Sequence, residues 1–309
     1  MPRTYSLLFH KRYLLRGGFS PSDILPFALQ KKYFRKTNNK VYIKQPFFYL
    51  YMVIPYFKSD QVQLFHNDCI NVLDSLPENS VDMIFADPPY FLSNGGISCR
   101  AGKMVSVNKA DWDKSQGLEK DFEFTQNWIK ACRRVLKENG TIWITGTMHN
   151  IYQVGFSLQK LNFKLLNEIS WFKPNAPPNL SCKYFAHAHE TLLWARKHAK
   201  ISHNFNYDLM REWDDKVAPK GKQMRSIWHI PLTPMREKTQ GKHPTQKPIE
   251  LLKRIISSST NENAVILDPF NGSGTTGVVS TMLNRQFIGI DKEEDFLRLT
   301  IKRINALKK

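Results

Sequence analysis

Residues 265–277 read VILDPFNGSGTTG, and this stretch is the strongest indication of the fold. Its apolar start predicts a short strand ending at Asp268, and the small residues that follow predict a loop leading into a helix at Thr275. The glycines of this loop would let a ligand approach the backbone closely, and the free amides of the helix N-terminus suit polar groups. The stretch therefore predicts a strand, a ligand-binding loop and a helix, which is the repeating unit of an α/β fold.

The loop alone does not decide the ligand. GSGTTG matches the pattern G-x-G-x-x-G, which occurs in nicotinamide-binding proteins and also in turns that bind nothing. A phosphate-binding P-loop is excluded, because no Gly-Lys-Ser/Thr follows the glycines. The next predicted strand, QFIGID at 286–291, ends in Asp291. That carboxylate would suit the ribose hydroxyls of an adenosine-containing cofactor, or it would cap the helix predicted from Glu293.

The motif DPPY at 87–90 points to a nucleobase. It follows VDMIFA at 81–86, an apolar run typical of a strand buried on both faces. The two prolines have no backbone donors, so Asp87 and the carbonyl of Pro88 form a pair of acceptors, and Tyr90 offers a ring for stacking. An incidental turn is the alternative, but ligands bind at the carboxyl ends of the strands in open α/β sheets. We therefore expect DPPY to hold the exocyclic amino group of a base.

Predicted strands and helices alternate along the chain. This order predicts an α/β fold with a doubly wound, mostly parallel, Rossmann-like sheet. The predicted strands lie at 62–66, 81–86, 141–146, 163–172, 190–197, 264–268 and 286–291, and the predicted helices at 71–76, 120–137, 152–161, 248–258, 275–283 and 293–307. Asn139 and Gly140 are interpreted as a helix end, and residues 91–117 as a long loop.

Composition divides this fold into parts. The predicted parts are a basic extension outside the fold at 1–60, a catalytic half with DPPY at 61–197, an inserted lobe at 198–242, and the second half of the same domain at 243–309. Residues 1–51 hold ten Lys or Arg and one acid. One hypothesis is that translation begins at Met52, which an intact mass matching residues 1–309 would contradict. The alternative is a basic arm that contacts DNA.

The chain carries a large excess of positive charge. Its 45 Lys and Arg against 27 Asp and Glu give a net charge of +18, which favours a polyanionic partner, nucleic acid first. A solvated basic surface is the alternative interpretation. The DNA contacts predicted in the inserted lobe are Arg211, Lys220, Lys222, Arg225, Arg236 and Lys238, with Trp213 and Trp228 interleaved.

Cysteine usage and hydropathy indicate a cytoplasmic protein. The four cysteines are widely spaced and form no C-x-x-C pair, which argues against a zinc site or a disulfide framework. The longest apolar run, at 46–57, is too short to span a bilayer. The basic start is not followed by the apolar core of a secretory signal. We expect neither a metal nor a membrane partner.

Two of these motifs carry a resemblance to a known family. FADPPYFLSNGG together with LDPFNGSGTTG resembles the amino-methyltransferases of DNA. DPPY comes first and the loop at 268–276, called the glycine loop below, comes last. This order resembles their permuted β class, and HPTQKP at 243–248 resembles that class's third marker. The resemblance covers residues 61–309. PPNLSCKYF and HETLLWARK are similar to the DpnA-type second methyltransferases of DpnII/MboI restriction systems.

The resemblance implies an enzyme that transfers a methyl group from S-adenosylmethionine (SAM) to adenine N6 in GATC. Duplex DNA is the implied substrate, with single-stranded DNA as a further candidate. A cognate restriction endonuclease would be the functional companion, and a homodimer is left open. The implied catalytic residues are Asp87, Pro88, Pro89 and Tyr90. The implied cofactor-binding residues are Asp68, Lys247, Asp268, Pro269, Phe270, Gly272, Ser273, Gly274, Thr275, Thr276 and Asp291.

Two of these cofactor residues have a second interpretation. Asp68 suits either the adenine of the cofactor or a helix cap. Lys247 suits either the methionine carboxylate or a solvated position. The sequence alone is compatible with both interpretations of each residue.

Other functions are also open from sequence. Cytosine-N4 methylation is the nearest, although the Asp of DPPY favours adenine. A nicotinamide-dependent oxidoreductase would use GSGTTG but leaves DPPY unexplained. An inert DNA-binding relative, or methylation of RNA or a protein amide, would also keep the fold. Cytosine-C5 methylation is excluded, because none of the four cysteines follows a proline.

Overall fold

The computed structural model describes residues 53–92, 113–179, 182–241 and 243–308, together with the backbone of four short strands outside these ranges. The chain divides into two units, residues 1–51 and 52–309. In the first unit, β1 (Phe34–Thr37) and β2 (Lys40–Ile43) pair antiparallel. The rest of residues 1–52, and with it most of the predicted basic extension, lies outside the described residues.

A nine-stranded sheet forms the centre of the second unit. Its strands are β3 (Phe57–Lys58), β4 (Val62–His66), β5 (Val81–Ala86), β8 (Leu136–Gly146), β9 (Lys164–Phe172), β10 (His189–Arg196), β11 (Ile227–His229), β12 (Val265–Asp268) and β13 (Gln286–Asp291). Their order is β11-β9-β10-β8-β5-β12-β13-β4-β3. Within this sheet, β10 and β3 run antiparallel to their neighbours and the other strands run parallel to one another, so the predicted mostly parallel α/β sheet is confirmed.

Helices cover both faces of this sheet. They are α1 (Cys69–Ser75), α2 (Leu118–Val135), α3 (Ile151–Lys160), α4 (Tyr207–Arg211), α5 (Ile249–Ser259), α6 (Thr275–Met282) and α7 (Glu294–Asn305). One apolar core contains α1, α2 and α3, and a second contains α5, α6 and α7. Strand β5 sends Ile84 into the first core and Met83 and Phe85 into the second. Its continuous apolar run therefore reflects burial on both faces, as predicted.

The helix predicted at 120–137 ends earlier than its apparent stop signal. Helix α2 ends at Val135, and β8 begins at Leu136, so Asn139 and Gly140 lie inside a strand. The interpretation of these two residues as a helix end was wrong. The pairing with β5 shifts register between Val81 and Met83, which accommodates the extra residues of β8 as a bulge. Tertiary pairing overrides the local signal here.

The predicted loop at 91–117 contains two short strands. These are β6 (Ile97–Arg100) and β7 (Lys103–Ser106), which pair antiparallel in a small sheet of their own. The segment is therefore partly regular. Residues 93–96, 101–102 and 107–112 lie outside the described residues.

The inserted segment at 198–242 joins the central sheet. Its strand β11 pairs parallel to β9 and forms one edge of the sheet. Trp228 of this strand is 3% exposed and packs in the second core. At the opposite edge, β3 pairs with β4, so the sheet begins a few residues before the predicted boundary at 61. In the described part of the chain, no helix is long and apolar enough to cross a membrane.

Candidate active site at the carboxyl ends of the strands

The carboxyl ends of four adjacent parallel strands meet at one cleft. Strands β5, β12, β13 and β4 lie side by side, and predicted site residues stand at or just after the last residue of each strand. The cleft has a volume of about 630 Å³. The predicted catalytic and cofactor-binding residues that line it are Asp68, Asp87, Pro88, Pro89, Tyr90, Lys247, Asp268, Pro269, Phe270, Gly272, Ser273, Thr275, Thr276 and Asp291.

Gly274 is the predicted residue that does not line the cleft. It caps α6 with a left-handed φ of +71°. A Cβ at this position would collide with the side chain of Thr300 on α7. Gly274 therefore serves the turn and the close packing of the two helices, in keeping with the conformational freedom of glycine.

The charge of the cleft is opposite to that of the chain. Its lining holds eight acidic residues against four lysines, although the whole protein carries +18. A negative cleft suits a cationic sulfonium and hydroxyl donors. The acidic residues are Asp68, Asp87, Asp113, Asp121, Glu123, Asp268, Asp291 and Glu293.

Asp268 and Asp291 hold the glycine loop between them. The carboxylate of Asp268 accepts hydrogen bonds from Phe270 N (3.0 Å) and Thr276 Oγ1 (2.6 Å). Burial raises the pKa of Asp268 to about 7, although these two hydrogen bonds lower it. Asp291 accepts from Gly272 N at 2.7 Å and from Glu293 N at 2.9 Å, and burial raises its pKa to about 6. Asp291 therefore holds the turn before α7 and lines the cleft, whereas its interpretation as the helix cap was wrong, because Glu293 is the N-cap residue.

Asp68 also combines two roles. Its side chain accepts from Ile70 N at 2.9 Å and so caps α1. The same carboxylate forms an ion pair with Lys292 at 2.7 Å. Burial raises the pKa of Asp68, but the hydrogen bond and charge of Lys292 outweigh it and lower the pKa overall. An ionised acid therefore lines the cleft just after the end of β4.

The DPPY segment is tied down by hydrogen bonds. Asp87 Oδ1 accepts from Tyr90 Oη at 2.8 Å and from Thr145 Oγ1 at 2.6 Å. The Tyr90 backbone N donates to Asp113 Oδ1 at 2.9 Å. Burial, with the charges of Asp87 and Glu190, raises the pKa of the Tyr90 phenol well above its usual value, so its hydroxyl remains a donor.

Lys247 lines the cleft beside the DPPY segment. Its Nζ is 2.6 Å from Asp87 Oδ2, and its side chain is only 7% exposed. The same Nζ is 3.6 Å from Glu190 Oε2 and 5.3 Å from the centre of the Tyr90 ring. Burial lowers the pKa of Lys247, but the two carboxylates outweigh it and raise the pKa overall. The ammonium thus pairs with Asp87, a contact that the sequence did not predict.

Glu190 and Lys173 were missed by sequence reasoning. Glu190 Oε2 accepts from Tyr90 Oη at 3.1 Å, and Glu190 Oε1 pairs with Lys173 Nζ at 2.9 Å. Burial raises the pKa of Glu190, but the charges of Lys247 and Lys173 outweigh it and bring the pKa to about 2. The available signal was an acid at the start of the apolar strand ETLLWAR. Only the antiparallel direction of β10 brings that start to the edge where the cleft lies.

The predicted DNA contacts lie apart from the cleft lining. Arg211, Lys220, Lys222, Arg225 and Arg236 are exposed, and Lys238 is half-buried. Arg211 donates to the carbonyl of Gly221 at 3.0 Å, and Lys220 pairs with Glu212 at 3.0 Å. The expected interleaved aromatic contact of Trp228 was wrong, because this ring is buried near Trp143 at 5.9 Å between ring centres. The guanidinium of Arg254 lies between Trp228 and Trp213.

A family comparison accounts for this combination of motifs. Residues 81–302 match the model of the N6/N4 methyltransferase family, described as DNA methylase. The chain belongs to this family. It is a DNA methyltransferase, and its cofactor is SAM. A nicotinamide-dependent oxidoreductase is thereby excluded.

Curated relatives are similar along most of the chain. The Type II methyltransferase M2.DpnII of Streptococcus pneumoniae is 54% identical over 256 residues, which are 82% of this chain and 94% of the relative. M2.LlaDCHI of Lactococcus lactis subsp. cremoris is 53% identical over 255 residues, 82% of this chain and 93% of that protein. M2.MboI of Moraxella bovis is 50% identical over 82% of this chain and 92% of that protein. The resemblance to the DpnII/MboI group is confirmed.

Solved structures share the fold. The M1.HpyAVI–SAM complex superposes with a TM-score of 0.59 and 28% identity, covering 79% of this chain and 99% of the other. The cytosine-N4-specific PvuII DNA methyltransferase superposes with a TM-score of 0.62 and 17% identity, covering 81% and 88%. At that identity the second likeness concerns the fold alone. The expected methyltransferase architecture is confirmed.

Proposed function

We propose that this methyltransferase transfers the methyl group of SAM to N6 of adenine in GATC. The observation that carries the proposal is that Asp87, Pro88 and Tyr90 line the cleft together at the end of β5, and we take the Asp87 carboxylate and the Pro88 carbonyl as its two acceptors. Two acceptors suit the two N–H donors of an exocyclic amino group. The GATC assignment rests on the similarity to the DpnII/MboI group.

The residues around the glycine loop suit the cofactor. Asp291 would accept from the ribose hydroxyls, Asp68 would face the adenine, and the loop at 268–276 would surround the methionine part. SAM supplies an electrophilic methyl group on a sulfonium. The acidic lining favours that positive charge.

The target adenine must leave the base stack to reach this cleft. Asp87 and the Pro88 carbonyl would then accept from N6, which directs its lone pair at the methyl carbon. In the transfer, an N–C bond forms, and the C–S bond breaks with its electron pair left on sulfur. N6 gives up one proton, for which the Asp87 carboxylate is the adjacent acceptor. Positioning supplies most of the catalysis in this scheme.

The identity of the methylated base is the direct test. DNA treated with the protein and SAM would be digested to nucleosides and analysed by mass spectrometry. We expect N6-methyladenine and no N4-methylcytosine. N4-methylcytosine as the product would overturn the adenine assignment while leaving the fold and the cofactor unchanged.

The exposed basic residues of the insertion are the proposed DNA contacts. We place Lys222, Arg225 and Arg236 against the phosphate backbone because they are exposed, together with the half-buried Lys238 of the same segment. Arg211 and Lys220 belong to the same surface but also have partners within the insertion. Phosphate contacts of this kind position the protein without specifying sequence.

A restriction endonuclease that cuts GATC is the proposed functional companion, and a cytoplasmic location follows from that role. Plasmid from cells that express the protein should resist such an endonuclease, and plasmid from cells expressing Asp87→Ala should be cut. Cutting of both plasmids would contradict this role. Whether the enzyme acts as a homodimer can be read from sedimentation with and without DNA.

A further inference from the structure

Four charged groups with little solvent exposure meet beside the DPPY segment. Asp87 and Glu190 are the two carboxylates, and Lys247 and Lys173 are the two ammonium groups. The side chains of Lys247, Lys173 and Glu190 are 7%, 12% and 14% exposed. Such a cluster is stable only while its charges remain paired.

The hydrogen bonds of Asp87 leave one oxygen for the target base. Asp87 Oδ1 accepts from Thr145 Oγ1 at 2.6 Å and lies 2.8 Å from Tyr90 Oη, whose single proton is shared with Glu190 Oε2 at 3.1 Å. Two hydroxyl groups already contact Oδ1, so Oδ2 is the oxygen better placed for a target amino group. That oxygen is 2.6 Å from the ammonium of Lys247. The amino group and the ammonium therefore compete for the same oxygen.

Glu190 offers the ammonium a second acceptor. Its Oε2 is 3.6 Å from Lys247 Nζ, so a shift of the ammonium toward Glu190 would complete a hydrogen bond there. The ammonium would remain among carboxylates throughout, and no buried charge would lose its partner. Without Lys247, in contrast, Asp87 and Glu190 would face each other as like charges.

We infer that Lys247 and Glu190 form a positioning pair. Lys247 moves from Asp87 to Glu190 when the base binds, which leaves Asp87 Oδ2 for the target amino group. Lys247 holds Asp87 as an oriented carboxylate, and Glu190 takes the ammonium as the base binds. The inference rests on the proposed function, since it assumes an amino group as the methyl acceptor. In this arrangement Asp87 and Glu190, rather than the methionine carboxylate of SAM, are the partners of Lys247.

The test compares the isosteric Glu190→Gln and the charge-removing Lys247→Met with the wild-type enzyme. Single-turnover methyl transfer, its pH dependence and SAM affinity by calorimetry would be measured for each. Lys137→Met is a matched control, because Lys137 pairs with Asp82 at 2.8 Å at the start of β5, away from the cleft. We expect this control to transfer methyl within about twofold of wild type.

The two variants should slow transfer in different ways. In Lys247→Met we expect a loss of about a hundredfold and an acid limb moved up by about one pH unit, since Asp87 then faces Glu190 without the ammonium that both carboxylates share, while Lys173 remains paired with Glu190 alone. In Glu190→Gln we expect a loss of about tenfold with no upward shift, because Lys247 still pairs with Asp87. The other titratable groups around them are Tyr90, Lys173 and Asp268.

The double variant separates positioning from folding. Lys247→Met/Glu190→Gln should transfer faster than Lys247→Met alone, because it removes the carboxylate that Asp87 would face. SAM affinity should stay within about threefold of wild type in all three variants. A tenfold loss of SAM affinity in Lys247→Met would overturn the inference, as would wild-type transfer in Glu190→Gln. If Lys247→Met does not fold, Glu190→Gln still decides.

The proposed function can fail separately. If the wild-type product is N4-methylcytosine, the adenine assignment fails. The pair is then tested by the same variants on the cytosine amino group.

Discussion

The cleft and the insertion at 198–242 both depend on charged residues, but they place them differently. In the cleft, Asp87 and Lys247 are paired with each other, and Lys247 is nearly inaccessible to solvent. In the insertion, Arg225 and Arg236 are exposed, while Asp215 and Trp228 are buried against the body of the protein. The difference indicates that cleft charges are fixed for chemistry, whereas the exposed charges of the insertion remain available to a polyanion.

The largest effect should come from the cleft. Asp87→Ala removes the acceptor for the target amino group and the partner of Lys247, so we expect methyl transfer to fall on the order of a thousandfold. SAM binding should persist, because the glycine loop is unchanged. The measurement is single-turnover transfer together with calorimetric SAM binding. Asp74→Ala, an exposed acid on α1, is the control. Methyl transfer by Asp87→Ala at the wild-type rate would contradict the role of the cleft charges in the reaction.

Loss of a buried ion pair of the insertion should lower the stability of the protein rather than slow methyl transfer. Arg254 of α5 is 2% exposed and pairs with Asp215 of the insertion at 2.7 Å. Arg254→Met leaves that buried carboxylate unpaired, and we expect the free energy of unfolding to fall by about 3–5 kcal/mol. Urea unfolding measures this change.

The control for Arg254 is an exposed pair of similar geometry. Arg298 is 2.7 Å from Glu294, with side-chain exposures of 57% and 40%. Arg298→Met should cost less than about 1 kcal/mol. Equal losses in the two variants would mean that the insertion is not anchored through Asp215.

A smaller effect is the pH dependence of stability, to which the buried Asp268 of the cleft should contribute and an exposed acid should not. Burial raises the pKa of Asp268 to about 7, whereas an unfolded aspartate titrates near about 3.9. The folded protein keeps a proton that the unfolded chain loses. The resulting stability is therefore full below about pH 4 and is lost as pH rises through about 7.

Asp268→Asn should flatten this dependence. Urea unfolding at several values between pH 5 and pH 8 would show a smaller decline with pH than in wild type. Asp74→Asn should leave the decline unchanged. An identical decline in Asp268→Asn and wild type would show that Asp268 is ionised throughout this range.

The smallest effect should come from single basic residues of the insertion. Arg236→Ala should weaken DNA binding a few-fold, and the slope of log K against log salt should become shallower by about one for each phosphate that the protein no longer neutralises. Fluorescence anisotropy with a labelled duplex gives both quantities. Lys302→Ala, exposed on α7, should change neither. An unchanged salt slope in Arg236→Ala would place the DNA elsewhere.

Much of the fold could be predicted because its patterns are local. The strands at 81–86 and 286–291 were predicted with their observed bounds, since the first is a largely apolar run that stops just before Asp87 and the second is one that ends at Asp291. The stop signal at Asn139 and Gly140 misled, because strand pairing with β5 continues across it. Local sequence carries no information about that partner.

The site residues that belong to a contiguous motif could be predicted from the sequence. Those brought together only by the pairing of strands could not. DPPY and the glycine loop belong to contiguous motifs, and the structure brings them to one cleft. Glu190 is brought next to Tyr90 and Lys247, and Lys173 next to Glu190, by the antiparallel pairing of β9 and β10. Trp228 reads as a surface aromatic beside basic residues, yet its strand completes the sheet edge and buries the ring.

Adenine-N6 methylation in GATC can be tested by the transfer of labelled methyl from SAM to matched oligonucleotides. The set contains a GATC duplex, a GATC single strand, a scrambled site, and a GATC site whose adenine already carries an N6-methyl group. We expect label in the unmethylated GATC duplex and none in the scrambled or premethylated sites, and the ratio of single strand to duplex shows how much base extrusion limits the reaction. Label in the scrambled or premethylated oligonucleotides, or in none of the four despite SAM binding, would contradict the assignment.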